Sequence, residues 1–244
     1  MIGLILAAGY ATRLYPLTKD KAKALLPVKG RPIIDYIVDQ MVTMPDLSRI
    51  VVVSNHRFAA DFIEWSKTRS DIEITVVDDQ TMSEEDKLGA IGDMQYAIDQ
   101  LNIDEDLFVI AGDTLFTYRL KDCWEAFRTF DEDMILAGIP DPNEDLRRFA
   151  IATVDEAGTL TSLVEKPERP ASNLAVYATY FYKRQTLPLI RTYLEEGNSP
   201  DAPGNFPAWL YTRKPVKLYR FDGKCVDIGT VSSYEEVNQT WPLS

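Results

Sequence analysis

The sequence predicts an α/β fold with a doubly wound, mainly parallel mixed sheet, helices on both faces and a small antiparallel β extension. Short β-branched runs alternate with amphipathic helical segments through the first half of the chain. Right-handed crossovers between such runs give a parallel sheet that is covered on both faces. After Leu120, several strand-like runs follow one another without helices between them, which is typical of antiparallel pairing. The predicted class is therefore Rossmann-like.

The individual elements follow from the spacing of apolar residues. Parallel strands are predicted over residues 2–7, 50–53, 72–77 and 107–111. Between them, helical spacing predicts helices over residues 33–41, 58–65 and 88–101. A helix over 120–130 then precedes strands over residues 134–139, 149–154, 160–165 and 174–182. Residues 155–158 indicate a hairpin turn, and further helices are predicted over residues 186–195, 206–213 and 232–241.

Composition restricts the class of ligand. The chain has 244 residues and a formal net charge of −12, which argues against general affinity for nucleic acid or anionic membranes. One small anionic ligand in a local cationic pocket stays compatible with this charge.

No long apolar window predicts a transmembrane helix, and the first apolar run indicates a strand rather than a signal peptide. Two cysteines without metal spacing favour free thiols and a cytoplasmic location. Nothing in the sequence predicts an oligomeric state or a macromolecular partner.

The loop after the first strand is the most informative segment. Ala7, Ala8 and Gly9 lie at the carboxyl edge of the predicted sheet, where open α/β sheets bind ligands and backbone N–H groups cradle phosphate oxygens. Arg13 adds a planar guanidinium and Lys23 a mobile ammonium. The segment is neither a Walker A loop nor a Gly-x-Gly-x-x-Gly loop. A small-residue turn alone would be an ordinary strand–helix loop, so the interpretation depends on the whole string.

Two aspartates further along the chain are also candidate site residues. Asp113 comes directly after a buried strand, so we expect its carboxylate to face the same crevice as the first loop, although a turn or capping role is the alternative. Asp227 lies too far upstream of the last predicted helix to be an obvious cap. The acidic residues at positions 78–79 and 84–86 are expected to form a solvated loop.

The string over residues 6–28 resembles the signature of the sugar-phosphate nucleotidyltransferases, Gly-x-Gly-Thr-Arg-x-x-Pro-Leu-Thr followed by Pro-Lys-x-Leu-Leu-Pro-Val. The matching residues are Gly9, Thr12, Arg13, Pro16, Leu17, Thr18, Lys23, Leu25, Leu26, Pro27 and Val28. The chain departs from the signature at two positions. Ala11 stands in place of the second glycine, and Ala22 stands in place of the proline that precedes the lysine.

Three later segments resemble motifs of the same family. Gly112-Asp113-Thr114-Leu115-Phe116 resembles Gly-Asp-Asn-Leu/Ile-Phe, Glu165-Lys166-Pro167 matches Glu-Lys-Pro, and Cys225-Val226-Asp227-Ile228-Gly229-Thr230 resembles Trp-x-Asp-x-Gly-Thr. Leu88-Gly89-Ala90 resembles the start of the family helix that approaches the nucleobase. Helix initiation is the alternative reason for Gly89.

The resemblance implies an enzyme that transfers a nucleotidyl group from an NTP to a sugar 1-phosphate, giving an NDP-sugar and pyrophosphate. It implies that Mg²⁺ is held by Asp113 and Asp227, and that the catalytic cations are Arg13, Lys23 and Lys166. The implied nucleotide-binding residues are Leu6, Ala7, Ala8, Gly9, Thr12, Arg13 and Gly89, and the implied acceptor-binding residues are Ala150, Glu165, Lys166 and Ala178. We expect one domain, 1–244, with a nucleotide-binding half over 1–118 and an acceptor-binding half over 119–244.

Other functions stay open at this level. Ala150 and Ala178 stand where the family has glycines, and each adds a methyl group near the implied acceptor. A nucleotidyltransferase for a phosphorylated non-sugar acceptor is therefore one alternative. A non-catalytic nucleotide or sugar-phosphate sensor is another, although a degenerate copy would be expected to lose some of the charged motif residues. A glycosyltransferase would need an Asp-x-Asp pair, and Asp113 is followed by Thr114-Leu115.

Overall fold

The computed structural model describes residues 1–242. Its strands are β1 (Ile2–Leu6), β2 (Pro27–Val28), β3 (Arg31–Pro32), β4 (Arg49–Ser54), β5 (Ile74–Asp78), β6 (Leu107–Ala111), β7 (Thr114–Phe116), β8 (Asp133–Gly138), β9 (Ala150–Val154), β10 (Leu160–Glu165), β11 (Leu174–Tyr182), β12 (Val216–Arg220) and β13 (Cys225–Asp227). Its α-helices are α1 (Ile33–Met41), α2 (His56–Ser66), α3 (Ala90–Leu101), α4 (Leu120–Phe127), α5 (Leu187–Glu195), α6 (Asn205–Leu210) and α7 (Val231–Thr240). Over this range, no helix combines the length and the apolar character needed to cross a membrane.

Most predicted elements are present, with their ends moved by a few residues. The helix predicted over 120–130 ends at Phe127, and the helix predicted over 206–213 ends at Leu210. No strand was predicted at β2, β3, β7, β12 or β13. Four of these have only two or three residues. Such segments are too short to show a period, so pairing rather than local pattern defines them.

Nine strands form one mixed sheet in which β10, β9, β11, β6, β1, β4 and β5 lie side by side in that order. β1 runs parallel to β4 and β6, and β4 runs parallel to β5. β11 is antiparallel to β6, β8 and β9, and β9 and β10 form an antiparallel hairpin, while β12 joins the sheet beside β8. The predicted fold class, including the antiparallel extension, is therefore confirmed.

The sheet is covered on both faces because its strands alternate between two hydrophobic cores. In β1, Ile5 packs into the core that contains the apolar sides of α1, α2 and α4. Its neighbour Leu4 packs into the other core, with α3, α5 and α6. Successive side chains of a strand point to opposite faces, so this division places helices on both faces of the sheet.

The parallel part of the sheet collects the loops that concern function at one edge. β6, β1, β4 and β5 end at the same edge, and the loops that start there contain Gly112, Ala7, Asn55 and Asp79. β5 is three strand positions from β6, which at ~4.8 Å per strand separates their ends by roughly 14 Å. The end of this edge at β6 and the end at β5 are therefore well separated.

Candidate active site

The loop after β1 is fixed to its neighbours by backbone hydrogen bonds. The N–H of Ala7 donates to the carbonyl of Val53 at 2.9 Å, and the N–H of Gly112 donates to the carbonyl of Leu6 at 2.8 Å. Nδ2 of the buried Asn55 donates to the carbonyl of Ala8 at 2.8 Å. The loop is thus held between β4 and β6, as expected for a preorganised ligand-binding turn.

Ala11 shows how the chain accommodates its departure from the glycine-rich signature. Its φ is +48°, in the left-handed region that glycine adopts at little cost. An L-residue pays roughly 1–2 kcal/mol there. The hydroxyl of Thr18 donates to the Ala11 carbonyl at 2.8 Å, which helps to hold this backbone. The turn directs the chain into a short 3₁₀ helix, Thr12–Leu14, whose Leu14 is buried and whose Arg13 stays exposed.

Lys23 joins the two predicted metal-binding aspartates. Its Nζ lies 2.6 Å from Oδ2 of Asp113 and 3.4 Å from Oδ1 of Asp227, and its side chain is 11% exposed. Burial alone would lower the pKa of Lys23, but the charges of Asp113 and Asp227 outweigh it and hold that pKa above its ordinary value. Three predicted residues that are far apart in sequence therefore meet at one point.

A two-stranded ladder brings the second aspartate to this point. β13 pairs antiparallel with β7, so that Asp227 lies opposite Thr114, the residue after Asp113. The N–H of Ile228 also approaches the carbonyl of Asp113 at 3.5 Å. Asp227 does not cap α7, because Thr230 does so by accepting from the N–H of Ser233.

A cavity of about 330 Å³ opens beside this cluster. Among its lining residues are nine that the sequence analysis predicted, namely Leu6, Ala7, Ala8, Gly9, Thr12, Arg13, Lys23, Gly89 and Asp113. Asp227 is connected to the cavity through Lys23. Every predicted nucleotide-binding residue therefore lines one cavity, although their binding role stays a prediction.

The backbone conformation and the close packing at position 89 both favour glycine. Its φ is +78°, and a Cβ there would lie 2.7 Å from the carbonyl oxygen of Pro200. The N–H groups of Ala90 and Ile91, at the start of α3, donate to the carbonyls of Asp201 and Pro200. The segment around Pro200 thus supplies acceptors to the first turn of α3 and forms part of the cavity wall, a contact that the sequence analysis missed.

The predicted acceptor-binding residues lie on the antiparallel extension, outside the set that lines the cavity. The register places Ala150 opposite both Glu165 of β10 and Val176 of β11, and Ala178 lies two residues further along β11. Lys166 has a φ of +46°, its side chain is 66% exposed, and its Nζ lies 3.5 Å from Oε1 of Glu165. The extension therefore groups Ala150 and Glu165 but leaves Lys166 paired with its own neighbour.

One prediction about the acidic loop is wrong. Asp79 is only 4% exposed, and Oδ1 of Asp79 accepts hydrogen bonds from the N–H and hydroxyl of Thr81. Asp93 of α3 is also buried, and the side chains of both aspartates line the cavity. Burial, followed by the charge of Asp79, raises the pKa of Asp93 to about 8. The apolar stripe of α3 did not predict that this pair is buried. An aspartate in the first turn of a helix is usually exposed to solvent and stabilises the helix dipole.

Comparison with known proteins decides the family. The family model described as nucleotidyl transferase matches residues 2–242. The chain belongs to the nucleotidyl transferase family. The resemblance inferred from the loop after β1 is confirmed by this match.

Named relatives of this nucleotidyl transferase use sugar phosphates. It is 28% identical over 96% of its length to a putative mannose-1-phosphate guanyltransferase of Sulfolobus acidocaldarius, and spans 61% of that protein. It is also 28% identical to a UTP–glucose-1-phosphate uridylyltransferase of Haloferax volcanii, with 98% of this chain and 96% of the relative covered. A glucose-1-phosphate adenylyltransferase of Thermotoga neapolitana is 28% identical, and the chain spans 60% of it.

Solved structures of nucleotidyl transferases have the same fold. A putative glucose-1-phosphate thymidylyltransferase from Bacillus anthracis superposes with a TM-score of 0.81 at 25% identity, covering 98% of this chain and 94% of the other. An apo UDP-glucose pyrophosphorylase gives a TM-score of 0.80 at 20% identity over 98% and 97% of the two chains, which supports the fold alone. The guanyl-, uridylyl-, adenylyl- and thymidylyltransferases among these proteins share a sugar 1-phosphate in their names and differ in the nucleobase.

Proposed function

We propose that this nucleotidyl transferase converts an NTP and a sugar 1-phosphate into an NDP-sugar and pyrophosphate. The observation that carries the proposal is the meeting of Asp113, Asp227 and Lys23 beside the cavity that Arg13 lines. The names of the relatives support the sugar 1-phosphate as acceptor.

The reaction needs positioning more than proton transfer. An oxygen of the sugar phosphate attacks the α-phosphorus of the NTP, in line with the departing pyrophosphate. This nucleophile is already ionised, because the second pKa of a phosphate monoester lies near ~6. The remaining obstacle is the approach of two polyanions, which fixed cationic groups reduce.

The cations at the site have separate tasks in this proposal. Arg13 offers its guanidinium to the oxygens of the departing pyrophosphate. Lys23, held between two carboxylates, places its charge at the reacting centre. Lys166 is exposed on the acceptor side, where its ammonium would reach the phosphate of the sugar. The halves 1–118 and 119–244 would then bind the nucleotide and the acceptor, respectively.

The residues present fit a magnesium ion. Asp113 and Asp227 supply hard carboxylate oxygens that face one common cation, here the ammonium of Lys23. Within residues 1–242 no cluster of three or more His, Cys, Asp or Glu side chains could hold a metal. A metal on this pair would therefore take its other ligands from phosphate and water, as Mg²⁺ commonly does. When bound, Mg²⁺ would neutralise negative charge on the phosphates.

Pyrophosphate release tests the proposal. The protein with Mg²⁺ is offered each common NTP with each of a panel of sugar 1-phosphates. We expect rapid release with one pairing of nucleotide and sugar phosphate. Arg13→Ala and Asp113→Asn should each lower the rate about 10²–10³-fold, because each removes one preorganised electrostatic contact.

Arg184→Ala is the matched control for Arg13→Ala. Arg184 is 63% exposed, pairs with Asp104 and lies next to the start of β6, at the opposite edge of the sheet. Its replacement should leave the rate unchanged. Absence of pyrophosphate release with every sugar phosphate, or full activity in both site variants, would contradict the proposal.

A further inference from the structure

The ammonium of Lys23 lies between the two carboxylates that fit a magnesium ion. Its Nζ donates to Oδ2 of Asp113 at 2.6 Å and to Oδ1 of Asp227 at 3.4 Å. The Lys23 side chain is 11% exposed, so water and salt screen its charge less than that of a surface lysine. Lys23 is therefore a counter-ion that neutralises part of the charge of the two aspartates.

The Lys23 side chain can also reach the cavity without a change in the backbone. The flanking Ala22 and Ala24 are buried, which fixes the backbone of the short 3₁₀ helix Lys23–Leu25. Lys23 itself lines the cavity beside Asp113. A lysine ammonium has three donors on a flexible four-carbon stem, and two of them are directed to the aspartates. The same ammonium can therefore turn towards an anion in the cavity.

A divalent cation on the same carboxylates would compete with the Lys23 ammonium. Asp113 is 33% exposed and Asp227 is 63% exposed, so both are open to an ion from solvent. Two cations that share ligand oxygens are only a few ångströms apart, where their Coulomb repulsion exceeds the thermal energy even near a protein surface. The two cations therefore favour different anionic partners, and phosphate in the cavity is the partner to which Lys23 can turn.

We propose that Lys23 is an exchangeable counter-ion: it holds Asp113 and Asp227 together until a divalent cation binds them, and it then donates to the phosphates of the nucleotide. This inference rests on the proposed function, which assigns the metal to the two aspartates and the phosphates to the cavity. Metal and polyphosphate then bind cooperatively, because each favours the same position of the Lys23 ammonium. The coupling is reciprocal, as for any two linked ligands.

Titration with Mn²⁺ in the absence of nucleotide tests the competition without turnover. Mn²⁺ is the probe because it prefers the same oxygen ligands as Mg²⁺, and electron paramagnetic resonance measures its free concentration. Lys23→Met keeps the approximate length of the side chain and removes its charge. Its Kd for Mn²⁺ should be about 10- to 100-fold lower than that of the wild type, the range that corresponds to a hydrogen bond with a charged group.

Three further variants make this test specific to the site. Lys67→Met removes an exposed lysine that pairs with Glu64 of α2 at 2.7 Å, and it should keep the wild-type Kd. The double variant Lys23→Met/Asp227→Asn should lose the gain in affinity, because one carboxylate of the pair is removed. Lys23→Gln should change the Kd in the same direction as Lys23→Met, and it replaces that variant if methionine prevents cooperative unfolding in urea.

Tripolyphosphate in the presence of EDTA tests the second half of the exchange, since it carries the phosphate charges without a base. Asp113→Asn frees the Lys23 ammonium and also removes a negative charge, so its Kd for tripolyphosphate should fall. In a Lys23→Met background the charge is still removed, but no ammonium is freed. The decrease in Kd should therefore be at least about threefold larger when Lys23 is present, measured by calorimetry as a double-mutant cycle.

The outcomes separate this inference from the proposed function. Tighter Mn²⁺ binding in Lys23→Met but not in Lys67→Met, together with a non-additive cycle for tripolyphosphate, supports the inference. Equal or weaker Mn²⁺ binding in Lys23→Met, a gain that survives Asp227→Asn, or an additive cycle overturns it. Pyrophosphate release by the wild type would still support the proposed function in that case. Its absence with every substrate pair would contradict the proposed function whatever the Mn²⁺ result.

Discussion

Replacing Asp93 by asparagine is expected to stabilise the folded protein strongly at pH 8 and progressively less as the pH falls towards 4. The pKa of Asp93 is raised in the folded protein from 3.8 to about 8, mainly by burial. Between these values the folded state holds a proton that the unfolded state releases, so the free energy of unfolding falls as the pH rises. Asparagine stays neutral throughout and has no such loss.

The magnitude follows from the size of the shift. The raised pKa covers about four pH units, and each unit corresponds to ~1.4 kcal/mol, which gives an upper limit of about 6 kcal/mol. Water entry and relaxation around the ionised carboxylate reduce this loss. We therefore expect Asp93→Asn to be about 3 kcal/mol more stable than the wild type at pH 8.

Urea denaturation of both proteins at pH 5, 6, 7 and 8 measures the effect. The difference between them reports on Asp93 together with its neighbour Asp79, because the other ionisable groups that line the cavity, among them Tyr10, Glu84 and Lys87, are common to both proteins. Asp61→Asn, on the exposed side of α2, is the control for the same substitution outside the cavity. An Asp93→Asn variant that is no more stable than the wild type at pH 8 would refute the assignment of a buried, protonated Asp93.

Two further substitutions test the supports of the site by chemical denaturation. Gly89→Ala should cost at least about 2 kcal/mol, because Gly89 combines a φ of +78° with a Cβ position 2.7 Å from the carbonyl of Pro200. Gly197→Ala, at a similar φ of +79° but in open space, should cost only about 1 kcal/mol, and equal losses would exclude the Pro200 contact as the cause. Lys214→Met should cost about 3 kcal/mol, because the Lys214 ammonium lies 2.9 Å from the fully buried Asp133 carboxylate. A loss below 1 kcal/mol would show that the remaining hydrogen bonds to Asp133 suffice.

The long elements of the fold could be predicted because their signals are local. The five-residue apolar run of β1 and the helical spacing of α1 depend on residues that are neighbours in sequence. The loop after β1 was predicted for the same reason, since small residues and two cations follow one another within a short segment. These parts needed no information about distant residues.

The sequence identified the main charged residues of the site, but it did not show which contacts bring them together. The motifs named Asp113 and Asp227, yet only the pairing of β13 with β7 explains how these residues reach the same lysine. The wall around Pro200 and the burial of Asp79 gave no local signal. Each depends on a contact across a long stretch of chain, and loop residues that make such contacts look like ordinary solvated residues in the sequence.

The sequence by itself determined the α/β class, the order of its main elements and the charged groups available for phosphate chemistry. The reason is that periodicity and motif spacing are properties of consecutive residues. Only the tertiary structure decided that Lys23 is held between two aspartates and that Asp79 and Asp93 are buried together at the far end of the cavity. The charge state of a carboxyl group depends on its desolvation and its neighbours, and both are fixed only when distant segments pack against one another.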